Sequence, residues 1–153
     1  KTDGNHEVTG TQSVGNVGVE AFLSSNQTIP DSSATRVTFD STAADDTGSF
    51  DSTNNEYILP YDGDYQIDVG INWGTSFASG DGLYINTHSN NQGTIIRNSN
   101  NGPGVPYSIS SKVVKGLSKG DSIFVEVIQN SGSDATVIGA GRSYTWLSVN
   151  KIA

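Results

Sequence analysis

Apolar and polar residues alternate most regularly over 65–73, where Tyr65, Ile67, Val69, Ile71 and Trp73 hold every second position. Gln66, Asp68, Gly70 and Asn72 fill the gaps. A period of two marks a strand with one face on a core and the other on water. Ahead of it, 57–59 is a short apolar run that stops at Pro60, and Asp62-Gly63 supplies turn chemistry. The spacing predicts two strands joined by a tight reversal, a central hairpin. Similar alternation predicts strands at 18–24, 35–41, 82–88, 93–98, 107–115, 121–129 and 141–150. No segment keeps a helical period, and the expected class is all-β.

The segment 121–129 departs from simple alternation. Ile123, Val125 and Val127 share one face, but Phe124 and Ile128 sit on the other with only Glu126 between them. A strand apolar on both faces is normally covered on both. In a small sandwich the second cover must come from outside the sheet pair, and a neighbouring subunit is the economical source.

Connections carry a pattern as well. If each later strand crosses the domain once, loops 42–54, 74–81, 99–106 and 130–140 gather at one end, and the short turns 60–63, 89–92 and 116–120 at the other. The first group is rich in Gly, Asn, Ser and Asp. Long irregular loops on a rigid sandwich are the usual seat of binding. The chain should leave from the short-turn end, away from them.

Composition sharpens this picture at three points. With 153 residues, 33% of them hydrophobic, and 18 glycines, the chain suits many short strands joined by turns. A formal charge of −8 with only 8 Lys and Arg argues against nucleic-acid partners and anionic membranes, which need a basic surface. No apolar run approaches the length of a membrane span, so no membrane insertion is expected. Cys is 0, which excludes disulfides and thiolate metal sites, and Met is 0, so a processed product or a piece of a longer chain is expected. Residues 1–17 are Gly-rich and polar and read as a flexible or extended leader, with the head domain at 18–153.

The run Tyr57-Ile58-Leu59-Pro60-Tyr61-Asp62-Gly63-Asp64-Tyr65-Gln66-Ile67 resembles the aromatic-x-x-Pro-x-x-Gly-x-Tyr-x-apolar signature of C1q globular heads and tumour necrosis factor jelly rolls. Upstream, Val37-Thr38-Phe39-Asp40 is similar to that family's apolar-x-Phe-Asp strand. Downstream, the segment Leu117 to Val125 is similar to its Leu-x-x-Gly-Asp-x-apolar-x-Val segment. In the final strand Tyr144 stands where the family has Phe, and Trp146 where it has Gly. The resemblance implies a jelly-roll β-sandwich of about ten antiparallel strands that assembles as a trimer, with the final strand near the threefold contact. Phe124, Ile128, Tyr144 and Trp146 are therefore the expected trimer interface.

Chemistry is sparse. His6 lies in the leader and His88 at a strand end, no GxSxG elbow accompanies them, and no enzyme is expected. No cofactor is required; calcium is the one candidate, because Asp45, Asp46 and Asp51, with Asp81 and Asp134, offer hard oxygen ligands, and some relatives bind calcium near the trimer apex. A glycan would use Phe77, Asp81, Asn100, Asn101 and Tyr107 in or beside the long loops, whereas Phe50 reads equally well as a loop anchor and Trp73 and Trp146 as buried strand residues. Asn26-Gln27-Thr28 is a glycosylation sequon.

The resulting expectation is a non-enzymatic trimeric head of a viral (phage or archaeal virus) spike, fibre or capsid appendage on the virion surface. It would attach to a host cell-surface glycan or glycoprotein through its long loops, and to other virion proteins through the leader. A secreted carbohydrate-binding module and a purely structural decoration protein are the alternatives.

Overall fold

The computed structural model describes residues 17–104 and 107–153. The leader expected at the N-terminus, with His6, lies outside the described residues except for Val17. Thirteen strands and no helix make up the described chain. They are β1 (Gly18–Phe22), β2 (Gln27–Ile29), β3 (Thr35–Arg36), β4 (Ser41–Asp45), β5 (Phe50–Asp51), β6 (Glu56–Ile58) and β7 (Gly63–Asn72). There follow β8 (Gly82–Ser89), β9 (Gly93–Asn101), β10 (Tyr107–Leu117), β11 (Ser122–Gln129), β12 (Ala135–Val137) and β13 (Trp146–Lys151).

Two antiparallel sheets face each other in a jelly-roll sandwich. One has the order β10-β7-β13-β1-β4; the other runs β5-β6-β11-β8-β9, with β3 also pairing β11. A two-stranded sheet of β2 and β12 stands apart from both. Each sheet contributes one apolar face. Tyr65, Ile67, Val69 and Ile71 of β7 meet Leu147 and Val149 of β13 and Val19 and Ala21 of β1, and the other sheet supplies Tyr57, Ile123, Val125, Val127, Leu83 and Ile85, all buried. The regular alternation over 65–73 is thus the core face of the longest strand of the first sheet's interior, β7, which pairs on both sides.

The expected central hairpin does not form. β6 pairs β5 and β11 in one sheet, while β7 pairs β10 and β13 in the other. Between them the chain crosses the sandwich. Pro60 has no N–H to continue a ladder, and Leu59 is already committed to the β10–β11 turn: its N–H donates to Asp121 O at 2.8 Å, and Gly120 N–H donates to Leu59 O at 2.8 Å. Tyr65 secures the crossing by donating its hydroxyl to Tyr61 O at 2.7 Å. Two apolar runs separated by turn residues look alike in sequence whether they pair with each other or with distant strands.

Other boundaries shift as well. The expected strand at 35–41 is broken into β3 and the start of β4, and the expected loop 42–54 contains most of β4 and all of β5. The expected loop 99–106 loses Ser99, Asn100 and Asn101 to β9. Short β2 and β12 carry little alternation and fall in stretches expected to be irregular.

The connections do sort to two ends. At one, Asp64 N–H donates to Ala153 O (2.9 Å), Asn90 N–H to Ser122 O (3.2 Å) and Lys151 N–H to Val17 O (2.8 Å). Turns 60–62, 90–92 and 118–121 meet the C-terminal residues there, together with Val17. At the other, Leu23 N–H donates to Thr145 O (3.0 Å) and Ser32 N–H to Gln129 O (2.7 Å). Gly132 N–H reaches Asp31 Oδ1 at 2.8 Å and Gly139 N–H reaches Asn26 Oδ1 at 3.0 Å. The segment after β4 is the exception: Asp46 N–H donates to Gly18 O at 3.1 Å, which puts 45–49 at the turn end rather than among the long loops.

Candidate functional site

Three rows of outward side chains cross the five-stranded sheet, as its register dictates. Toward the loop end runs Phe22–Trp146–Gly70–Ile109, in the middle Glu20–Ser148–Asp68–Ser111, and toward the turn end Gly18–Asn150–Gln66–Val113. The intervening Ala21, Leu147 and Val69 point into the core, so these rows face away from it. Along them lies an open groove of about 440 Å³ lined by Glu20, Asp68, Ser111 and Ser148 of the middle row, Trp146 and Ile109 of the row beside it, and Arg142. Its size is that of an ordinary ligand cleft.

Trp146 is seated by two neighbours. Its indole Nε1 donates to Tyr107 Oη at 2.8 Å. Gly70, directly across the ladder, supplies the room: a Cβ there would lie 2.5 Å from both Trp146 Nε1 and Tyr107 Oη. Trp146 is thus half-buried on the outer face rather than in the core, and Tyr107 is its hydrogen-bond partner rather than a loop aromatic. In the middle row, Asp68 Oδ1 accepts both Gln66 Nε2 (2.7 Å) and Ser111 Oγ, while Oδ2 has no hydrogen bond among the described residues.

The outer face of the six-stranded sheet is closed differently. Phe124 is flanked by the Arg36 guanidinium, 3.7 Å from its ring centre, and by the stacked His88 imidazole at 5.0 Å. Arg36 also lies 3.6 Å from Glu56, and His88 Nε2 lies 2.9 Å from Glu126. The chain's own polar side chains therefore cover Phe124, which together with Ile128 is half-buried without a partner subunit. Phe124 and Ile128 stand on the opposite outer face from Trp146, so these three of the four residues expected at the interface do not share a surface. Sequence spacing shows that a strand is apolar on both faces but not that cations from β3 and β8 lie over the second one.

The glycan candidates divide. Phe77 is buried at 5% exposure and packs edge-on against Trp73, with ring centres 5.3 Å apart. It anchors the loop and presents no platform to solvent. Asp81 turns back on its own loop, accepting from Ala78 N–H at 2.7 Å. Asn100 and Asn101 lie at the end of edge strand β9 opposite Leu83 and Gly82. Of the five, Asn101 is the exposed one.

The calcium candidates do not converge. Asp45 accepts Ser49 N–H and Phe50 N–H, both at 3.0 Å, and holds the β4–β5 turn at the turn end. Asp46 is exposed beside it. Asp51 caps the next turn through Thr53 N–H (2.9 Å) and Asn54 N–H (3.1 Å), and its carboxyl is held below the usual range chiefly by Asn54. Among the described residues no three His, Asp or Glu side chains come together in a metal-holding group. These carboxylates do not fit a calcium site.

Buried phenols mark the core beneath. Burial pushes Tyr65 up to about 12 and also raises Tyr57.

The sequence matches the C1q domain family over residues 21–145, and the chain belongs to that family. Its fold is similar to those of solved tumour necrosis factor relatives. Eiger TNF from S. frugiperda superposes with a TM-score of 0.68 at 13% identity, covering 90% of this chain and 93% of that one. Murine APRIL at pH 8.0 superposes at 0.66 and 14% identity, covering 90% of this chain and 100% of that one. No curated protein matches the sequence. The residues of the resemblance have visible structural tasks: Phe39 and Tyr65 fill the core, and Asp40 accepts Ser24 N–H (2.9 Å) and Oγ (2.6 Å). Asp121 accepts Ser118 N–H at 3.1 Å and Asn91 Nδ2.

Proposed function

We propose that this chain is a non-enzymatic, extracellular trimeric head, carried on a virion spike, fibre or capsid appendage, that attaches to a host-surface glycan or glycoprotein through its loop end. The carrying observation is the polarity of the domain. Val17 and Lys151 lie side by side at the turn end, joined by a 2.8 Å hydrogen bond. Attachment on that side leaves the opposite end, built from 24–34, 74–81, 102–104 and 130–145, free to touch a partner. Three sites per head, repeated over a particle, raise avidity without any chemistry.

Trimer contact falls on the outer face of the five-stranded sheet. Two of the five exposed large apolar residues among those described, Ile109 and Val113, stand in the outward rows of β10 on that side. Exposed apolar residues grouped on one face mark an association surface, and the resemblance sets the final strand near the threefold contact. Phe124 is closed off by its own chain and offers no comparable surface.

Light scattering on the purified chain should give three copies, and arrayed surface glycans or host cells should retain the trimer. A trimer that binds neither sinks the attachment role and leaves structural decoration. A monomer would instead favour the carbohydrate-binding module.

A further inference from the structure

We infer that the outer face of the six-stranded sheet carries a site for a divalent first-row transition ion, copper or nickel by its donors, held by His88 Nε2, Glu126 and Asn86. His88 on β8 and Glu126 on β11 meet with Nε2 2.9 Å from Oε2. That separation suits a hydrogen bond but the alignment does not, and Nε2 makes none among the described residues. Two donors each about 2.1 Å from one ion, and at right angles to each other, stand about 3.0 Å apart. A short separation without hydrogen-bond alignment is what two ligands of a shared ion show. A tetrahedral ion would hold them about 3.4 Å apart, which favours a tetragonal ion over zinc.

Asn86 supplies a third donor. It lies directly across the ladder from Glu126, two positions before His88 on the same outward face. It is 8% exposed, and its buried Oδ1 has no hydrogen bond among the described residues. A buried amide oxygen left unpaired is destabilising, and an ion bound beside it would satisfy it. The imidazole is also set for ligation. Phe124 stacks on it at 5.0 Å, and Thr94 Oγ1 lies 3.2 Å from Nδ1, which leaves Nε2 turned toward Glu126. Anchoring the second ring nitrogen in this way fixes both ring and tautomer. Arg36, across from Glu126, is drawn aside to Glu56 and the Phe124 ring, and Arg97, across from Asn86, to the Tyr84 ring. The Glu126 side chain is 29% exposed, so an ion and its remaining waters reach the site from solvent. This face lies away from the proposed trimer contact, and the site does not depend on assembly.

The test is titration of the full chain with Cu(II) and Ni(II), read by calorimetry and, for copper, by electron paramagnetic resonance. One ion per chain should bind, with nitrogen coupling in the copper spectrum. The chain has 2 histidines, so His6 is the other source of an imidazole and serves as the control. His88→Ala and Glu126→Gln should each weaken binding by about tenfold or more, and Thr94→Val by about 10- to 100-fold. His6→Ala should bind like the wild type, with circular dichroism confirming the fold of every variant. Glu126→Gln keeps the shape of the side chain, so the carboxylate still decides the matter if His88→Ala does not fold. Absence of binding by the wild type, affinity unchanged in Glu126→Gln or His88→Ala, or loss of the ion in His6→Ala overturns the site and leaves His88 and Glu126 as a plain ion pair.

Discussion

Trp146 and Gly70 face each other across the β13–β7 ladder, and the bare Cα of Gly70 is what lets the indole lie flat enough for its Nε1 to reach Tyr107 Oη at 2.8 Å. Gly and Trp are coupled here: the large residue on the last strand is accommodated by a missing side chain on its neighbour. Gly70→Ala should destabilise the fold by about 1 to 3 kcal/mol, the usual range for overpacking. Combined with Trp146→Gly, most of that penalty should vanish, because the indole atoms it would strike are gone and the Tyr107 hydroxyl, no longer held by the indole N–H, is free to move aside. A double-mutant cycle by urea denaturation measures the coupling; additive effects would contradict it.

The two outer faces should respond oppositely to substitution. Ile109→Arg puts a charge on an exposed position of the five-stranded sheet and should dissociate the assembly with little loss of monomer stability. Phe124→Ala removes the ring between Arg36 and His88, and should cost about 1 to 3 kcal/mol of stability while leaving the number of copies unchanged. Light scattering paired with thermal unfolding separates the two.

High pH should loosen the fold through Tyr65. Its phenol ionises near 10.0 when unfolded and about 12 in the fold, so folding keeps the proton longer. The stabilisation is complete below pH 10 and is lost as pH rises from 10 toward 12; the full span corresponds to about 2 to 3 kcal/mol. Tyr57 shifts in the same direction. Urea midpoints at pH 9 and pH 11.5 should fall less steeply in Tyr65→Phe than in the wild type, although that variant starts lower for want of the Tyr61 hydrogen bond.

Gln129 is fully buried and holds the start of the 130–134 loop. Its Nε2 donates to Ser133 O (2.8 Å) and Ile29 O (3.2 Å), and its Oε1 accepts Ser131 N–H (2.8 Å) and Oγ (2.7 Å). Gln129→Leu leaves those groups without partners and should cost about 2 to 3 kcal/mol. Hydrogen exchange at Ser131 and Gly132 should quicken before that of β11. Equal protection in the two proteins would show that the amide does not organise the loop.

Phe77 tests the same end from the core side. Phe77→Ala empties a packed position against Trp73 and should destabilise by about 3 to 5 kcal/mol. If Phe77 were instead a glycan platform, the variant would fold normally and lose binding alone.

Strand positions were legible because alternation reports local burial. Tyr65 to Trp73 can hide every second side chain only as a strand, wherever that strand pairs, and the two ends of the sandwich followed from counting crossings. The C1q-type residues were legible for a related reason in part: Gly120 and Asp121 belong to one local turn, closed by Asp121 N–H to Ser118 O at 3.0 Å, whereas Asp40 ties back to Ser24 at the end of the preceding strand. Gly120, with φ of 88°, is held where a side chain would strain the backbone.

Pairing and covering belong to the tertiary structure. Nothing local tells 57–59 to join β11 rather than β7, because hydrogen bonds between distant strands are won by the whole sheet. Phe77 looked exposed because its neighbours in sequence are polar, and only the fold brings Trp73 against it. Asp45 and Asp51 looked like ligands until the turns that consume their oxygens were in place. Phe124 looked as though it needed another molecule, yet Arg36 and His88, far away in the chain, fold over it. Alternation is a property of neighbours along the chain; the partner of each face is decided by what the folded chain carries there through space.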